Sequence, residues 1–111
     1  MKILFTGSNG LLGQKIAVAT ANYPQHTFLA TSRGDNRTQA MGTARYAAMD
    51  ITKAEDVSAV ISAFEPDVII HGAAMTHVDE CELHPEQATL MNVEGTRNIA
   101  NAANEVGAHV V

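Results

Sequence analysis

Tryptophan is absent from the 111 residues, cysteine occurs once and proline three times. An internal disulfide is therefore excluded, and the lone thiol, Cys81, suits a reducing compartment, so a cytoplasmic setting is expected. Basic residues are also few: seven Lys plus Arg against twelve Asp plus Glu give a formal net charge of −5. No uniform positive field exists to draw nucleic acid or a membrane surface, so neither is expected as a partner and any anion site must be local. No apolar run approaches the roughly 18 residues of a membrane span, and the N-terminus enters an apolar strand pattern without a basic leader or small-residue cleavage site. The expectation is a domain neither exported nor embedded. What is present is apolar content of 46%. That suffices for one globular domain, whose core can bury about two thirds of the surface of the unfolded chain.

Residues 2–6 read as a short buried strand whose exit is punctuated by Gly7, Gly10 and Gly13. Leu12, Ile16, Ala19 and Tyr23 then keep helical spacing as far as Pro24. A second strand is predicted over residues 27–32, followed by turn composition at 33–37, and a weaker third strand over 44–49. Thr52 stands three residues before Glu55, a capping-box arrangement, and Val57, Val60, Ile61 and Phe64 follow at helical spacing until Pro66. Residues 67–71 form the fourth strand pattern. Pro85 is placed for the first turn of a long helix in which Ala88, Asn92, Gly95, Ile99, Ala102 and Val106 share one face, with Gly107 just past its end. Residues 108–111 begin a fifth strand. This alternation predicts a doubly wound parallel sheet with helices on both faces, without internal repeat or low-complexity tract. A last strand of four residues ending on two valines reads as a fold truncated just after the fifth strand begins. Such an edge is expected to make the piece self-associate, as a homodimer or an aggregate.

Gly7-Ser8-Asn9-Gly10-Leu11-Leu12-Gly13 has the spacing G-x-x-G-x-x-G between strand and helix. Its first glycine permits a tight turn, the second lets backbone N–H groups approach a pyrophosphate, and the third allows close packing of helix on strand. These seven residues are the expected core of a dinucleotide site. At the end of the second strand, where an adenosine ribose should arrive, stand Thr31, Ser32 and Arg33, with Arg37 shortly after. Two hydroxyls and two guanidinium groups suit a 2′-phosphate, so NADP is expected, with NAD as the alternative and Asp35 as the competing NAD-type residue.

The sequence resembles, over essentially its whole length, the N-terminal part of the extended short-chain dehydrogenase/reductases, and within them the dTDP-4-dehydrorhamnose reductase family. Its most specific segment is residues 66–79, continuing through Glu82, Pro85, Asn92, Val93 and residues 102–108. The resemblance implies an NAD(P)-binding Rossmann fold in which Gly10, Leu11 and Leu12 contact the pyrophosphate and Asp50 and Ile51 flank the adenine. Ala73, Ala74 and Met75 would lie along the nicotinamide-side ribose, and Asn92 would be a structural member of the active-site constellation. It further implies a parent protein that reduces the 4-keto group of a nucleotide-linked deoxysugar with NADPH. The family's proton donor is a Tyr with a Lys four residues later, and neither Tyr23 nor Tyr46 has that Lys. No catalytic residue is therefore expected in these residues, and a substrate domain is expected to lie outside them. Two alternatives remain: a non-catalytic dinucleotide-binding regulatory subunit, and a sugar-nucleotide epimerase or dehydratase of the same superfamily. His77, Asp79, Glu80, Cys81, Glu82 and His84 carry metal-ligand chemistry without the spacing of a zinc site, so no metal is expected.

Overall fold

Apolar residues at alternating and at helical spacing sort this chain into strands and helices around a single sheet. The computed structural model describes residues 1–36, 41–72 and 85–111, the side chains of residues 11, 12 and 85–92 excepted. The strands are β1 (Lys2–Thr6), β2 (Thr27–Ser32), β3 (Arg45–Ala48), β4 (Val68–Ile70) and β5 (His109–Val110); the helices are α1 (Leu11–Ala19), α2 (Ala54–Phe64) and α3 (Pro85–Val106). All neighbouring strands are parallel, in the order β3-β2-β1-β4-β5. The chain thus builds outward from β1 through β2 to β3, then crosses back to place β4 on the other side of β1. That reversal opens a crevice at the carboxyl ends of β1 and β4, the position where open α/β sheets take ligands.

Alternation along the strands divides the core in two. Leu4 of β1 and Ile69 of β4 face one side, where they pack with Met49, Ile51, Val57, Ile61, Ile99, Ala102 and Ala103 beneath α2 and α3. Phe5, Phe28 and Ala30 face the other side and meet Ala17 of α1. Both faces of β1 are therefore covered, as the uninterrupted apolar run Ile3-Leu4-Phe5 predicts for a parallel strand. The long helix ends as its sequence suggests: Gly107 takes φ +72° and the Ala108 N–H closes onto the Ala103 carbonyl at 2.8 Å.

Two expected helix boundaries are corrected. The first α-helix stops at Ala19, and residues Thr20–Asn22 tighten into a 3₁₀ turn, so Tyr23 lies outside it. The cause is Thr20, whose hydroxyl donates to the Ala17 carbonyl at 2.7 Å and accepts the Thr43 N–H at 2.9 Å, binding the helix end to the loop before β3. The capping box at Thr52 and Glu55 is not formed. Asp50 captures both the hydroxyl and the N–H of Thr52, at 2.6 and 3.0 Å, and α2 starts two residues later with Lys53 as an N-cap that makes no side-chain bond. A short-range Asx turn has won over the cap.

Candidate functional site

The glycine-punctuated turn leaves β1 at the crevice. Gly7 sits at φ +71°, a region that disfavours side chains, and its carbonyl accepts the Gly10 N–H at 2.9 Å. Gly10 is the N-cap of α1 in extended conformation, and α1 has no acidic residue in its first turn. The positive end of the helix thus has neither a capping side chain nor a carboxylate of its own, an arrangement that suits an anion. Gly13 has a steric reason: a Cβ there would meet the Gly7 carbonyl and stand 2.5 Å from the Ser8 Cα and 2.9 Å from the Gly7 carbonyl carbon. All three obstacles are backbone, so only glycine lets α1 approach its strand this closely. The Gln14 side chain braces the turn by donating to the Asn9 carbonyl at 2.9 Å.

Ser8, expected among the contact residues, is fully buried, and its N–H donates to the Thr31 carbonyl at 3.0 Å. That bond extends the β1–β2 ladder beneath the turn. The Thr31 hydroxyl, expected to face a phosphate, is likewise buried and donates to the Phe5 carbonyl at 2.9 Å. Leu11 and Leu12 are placed at the start of α1.

At the end of β2 the structure gathers Asn9, Ser32, Tyr46 and the carbonyls of Gly34 and Asp35. The Asn9 amide nitrogen donates to the Ser32 Oγ at 2.7 Å and to the Asp35 carbonyl at 3.0 Å. The Tyr46 hydroxyl lies 2.8 Å from the Ser32 Oγ, 2.6 Å from the Gly34 carbonyl and 3.1 Å from the Ser32 carbonyl. Arg33 is exposed beside this network. Its charge reaches Asp50 at the end of β3: burial works against the Asp50 carboxylate, but the Thr52 hydrogen bonds with the Arg33 and Lys53 cations outweigh it and hold the pKa below 3.8. Arg33 and Asp50 therefore border one rim. Ile51, expected to flank an adenine, turns its side chain into the core, where a Cβ on Gly95 would stand 2.8 Å from its Cγ1. Only its backbone stays near the rim, and its carbonyl accepts from the Asn98 amide at 2.8 Å.

The third part of the site is the end of β4. The half-buried His71 lies between two hydroxyls, with Nδ1 2.9 Å from the Thr6 Oγ1 and Nε2 3.2 Å from the Thr96 Oγ1, and the Gly72 N–H donates to Thr6 Oγ1 at 2.9 Å. Burial pushes the His71 pKa below 6.5. Ala73, Ala74 and Met75, the residues expected along the nicotinamide ribose, lie outside the described residues, as do Arg37, the 77–84 cluster and the Asn92 side chain. Among the described residues no group of three or more His, Cys, Asp or Glu could hold a metal, and no helix is long and apolar enough to cross a membrane. Sequence reading missed Tyr46 and His71. His71 is a polar side chain just past the end of the apolar strand β4, and that position was the available signal; Tyr46, the second residue of β3, carried none.

Comparison with known proteins agrees with this fold. The family model described as RmlD substrate binding domain matches residues 1–111. The dTDP-4-dehydrorhamnose reductase of Aggregatibacter actinomycetemcomitans is 32% identical over 102 residues, 92% of this chain and 30% of that protein. Methionine adenosyltransferase 2 subunit beta of Xenopus tropicalis is 33% identical over 110 residues, 99% of this chain and 31% of that protein. The chain thus spans under a third of the length of these relatives. Among solved structures, UDP-glucose 4-epimerase from Thermus thermophilus, a complex with NAD, superimposes with a TM-score of 0.81 at 22% identity, covering 97% of this chain and 35% of the epimerase. The sheet is therefore that of the Rossmann-fold dehydrogenases and epimerases, and the chain belongs to the RmlD substrate binding domain family, of which it is an N-terminal part.

Proposed function

We propose that this chain is the cofactor-binding part of an NADP(H)-dependent reductase acting on a nucleotide-linked 4-keto-deoxysugar. The observation that carries the reading is the uncapped start of α1, packed against β1 through Gly13 at the crevice where the sheet reverses. Backbone N–H groups of residues 11–13 would hold the pyrophosphate, the Gly10 N–H being taken by the Gly7 carbonyl; Asn9, Ser32 and Arg33 would hold the adenosine ribose, and Asp50 with the Ile51 backbone the adenine edge. The strand end at His71 and Gly72 leads into residues 73–75, which would take the nicotinamide ribose. When bound, the cofactor supplies the hydride. The chain's own part is to bind and orient it, since the Tyr and Lys of the family's proton-transfer pair are not among these 111 residues. Sugar binding and proton transfer would belong to a further domain of the parent protein, and its setting would be the cytoplasm.

A second reading has its own support in the 33% identity to methionine adenosyltransferase 2 subunit beta. Under it the same site binds a dinucleotide without turnover. Calorimetry with NADPH and NADH tests the shared part: both are expected to bind, NADPH more tightly, and Arg33→Ala should weaken NADPH about tenfold while changing NADH little. Absence of binding by either dinucleotide would refute both readings. Reduction of dTDP-4-dehydrorhamnose by the parent protein then separates them, since a regulatory subunit binds cofactor without consuming it.

A further inference from the structure

The hydrogen bonds at the end of β2 have a determinable direction. The Asp35 carbonyl can only accept, so the Asn9 atom facing it is the amide nitrogen, and that same nitrogen donates to Ser32 Oγ. At the other end, the Tyr46 hydroxyl faces two more acceptors, the Gly34 carbonyl at 2.6 Å and the Ser32 carbonyl at 3.1 Å. Its one hydrogen must go to a carbonyl, because otherwise its lone pairs would oppose theirs at these distances. Only one donor remains for the 2.8 Å contact between the two hydroxyls, and it is Ser32. The chain of bonds runs Asn9 to Ser32 to Tyr46 to Gly34.

From this we infer that Tyr46 is a specificity-determining positioning residue, which accepts the hydrogen bond donated by the Ser32 hydroxyl and leaves Ser32 to offer a ligand at this strand end a lone pair. A hydroxyl has one hydrogen and two lone pairs, and here the hydrogen and one lone pair are committed. A ribose 2′-hydroxyl can donate to what is left. A 2′-phosphate, which carries acceptors and negative charge, cannot. The expected phosphate contact from Ser32 is thereby withdrawn, and Arg33 is the group that attracts NADP while Ser32 keeps NAD as an acceptable ligand. Tyr46 touches neither cofactor and acts through Ser32. The inference rests on the cofactor reading above.

The test has an arm that needs no cofactor. In the unliganded chain, the hydroxyl proton between the two side chains should show three-bond coupling to the Ser32 β-protons; a proton coupled to no aliphatic partner belongs to Tyr46 and overturns the assignment. With cofactor, Tyr46→Phe should free the Ser32 O–H to donate to the ligand and shift the NADP/NAD affinity ratio about tenfold toward NADP. Ser32→Ala should weaken NAD more than NADP in the native background, and NADP more than NAD in the Tyr46→Phe background. That reversal of sign is not produced by general loosening of the fold. An unchanged ratio in Tyr46→Phe, with both dinucleotides still bound, overturns this inference alone, whereas a native chain that binds neither overturns the cofactor reading.

Discussion

His71 joins three elements through two threonine hydroxyls, Thr6 on β1 and Thr96 on α3, at the strand end that leads to the nicotinamide half of the proposed site. Burial favours its neutral ring, so its pKa in the fold lies below the 6.5 of the unfolded chain. Between those two values the unfolded state binds more protons, and stability therefore rises with pH. The contribution of His71 is complete above pH 6.5 and falls as the pH drops through the depressed value. The melting temperature should decline from pH 7.5 to 5.5, and His71→Gln should flatten that decline; an equal slope in the variant would assign the loss to other histidines. Asp50 has the same sign in a lower window, its contribution being complete above pH 3.8 and lost below it. The role of His71 was not legible beforehand. The chemistry of a side chain is written in the sequence, but its partners come from strands 65 residues apart, as Thr6 and His71 are.

The elements themselves were largely legible, because their causes are local. β1 and β2 fall where apolar runs and turn residues place them, and Gly107 ends α3 with the positive φ expected of it. Boundaries failed where a side chain made a choice the pattern does not record, as at Thr20 and Asp50. The end of α2 is a third case. Pro66 forbids continuation, yet the residue that turns the chain is Glu65, at φ 52° and ψ 60°, with its N–H on the Ile61 carbonyl at 2.8 Å. A left-handed conformation costs a residue with a Cβ about 1–2 kcal/mol, and glycine escapes that cost while losing more backbone entropy on folding. Glu65→Gly should therefore stabilise the chain by about 0.5–1 kcal/mol, seen in urea denaturation as a higher midpoint at unchanged slope. A lower midpoint would show that the Glu65 side chain contributes more than its backbone strain removes.

At the scale of the whole molecule, the alternation of strands and helices announced a parallel sheet, but the order β3-β2-β1-β4-β5 was not readable. Order depends on which side of β1 receives β4, and that is decided by packing: Ile69 joins Leu4 under α2 and α3, while Ile70 lies with Phe5 on the α1 side. The same order fixes the crevice, so fold and site stand or fall together. A chain of net charge −5 offers a dinucleotide no general attraction, so in the proposed reading binding would rest on local groups, the α1 terminus and Arg33 at the end of β2. Since that local geometry exists only in the folded state, ligand and fold are linked. At a hundredfold excess over its dissociation constant, NADPH should add about 2.7 kcal/mol of stability. For a domain of this size that corresponds to a rise in melting temperature of roughly 10–20 °C. Gly13→Ala separates the two quantities, because its Cβ meets only backbone of the turn. It should cost about 2 kcal/mol without ligand and also abolish most of the NADPH-induced rise, as α1 is forced away from β1. A variant that melts lower but keeps the full rise would mean that the amides of the first helical turn do not hold the pyrophosphate.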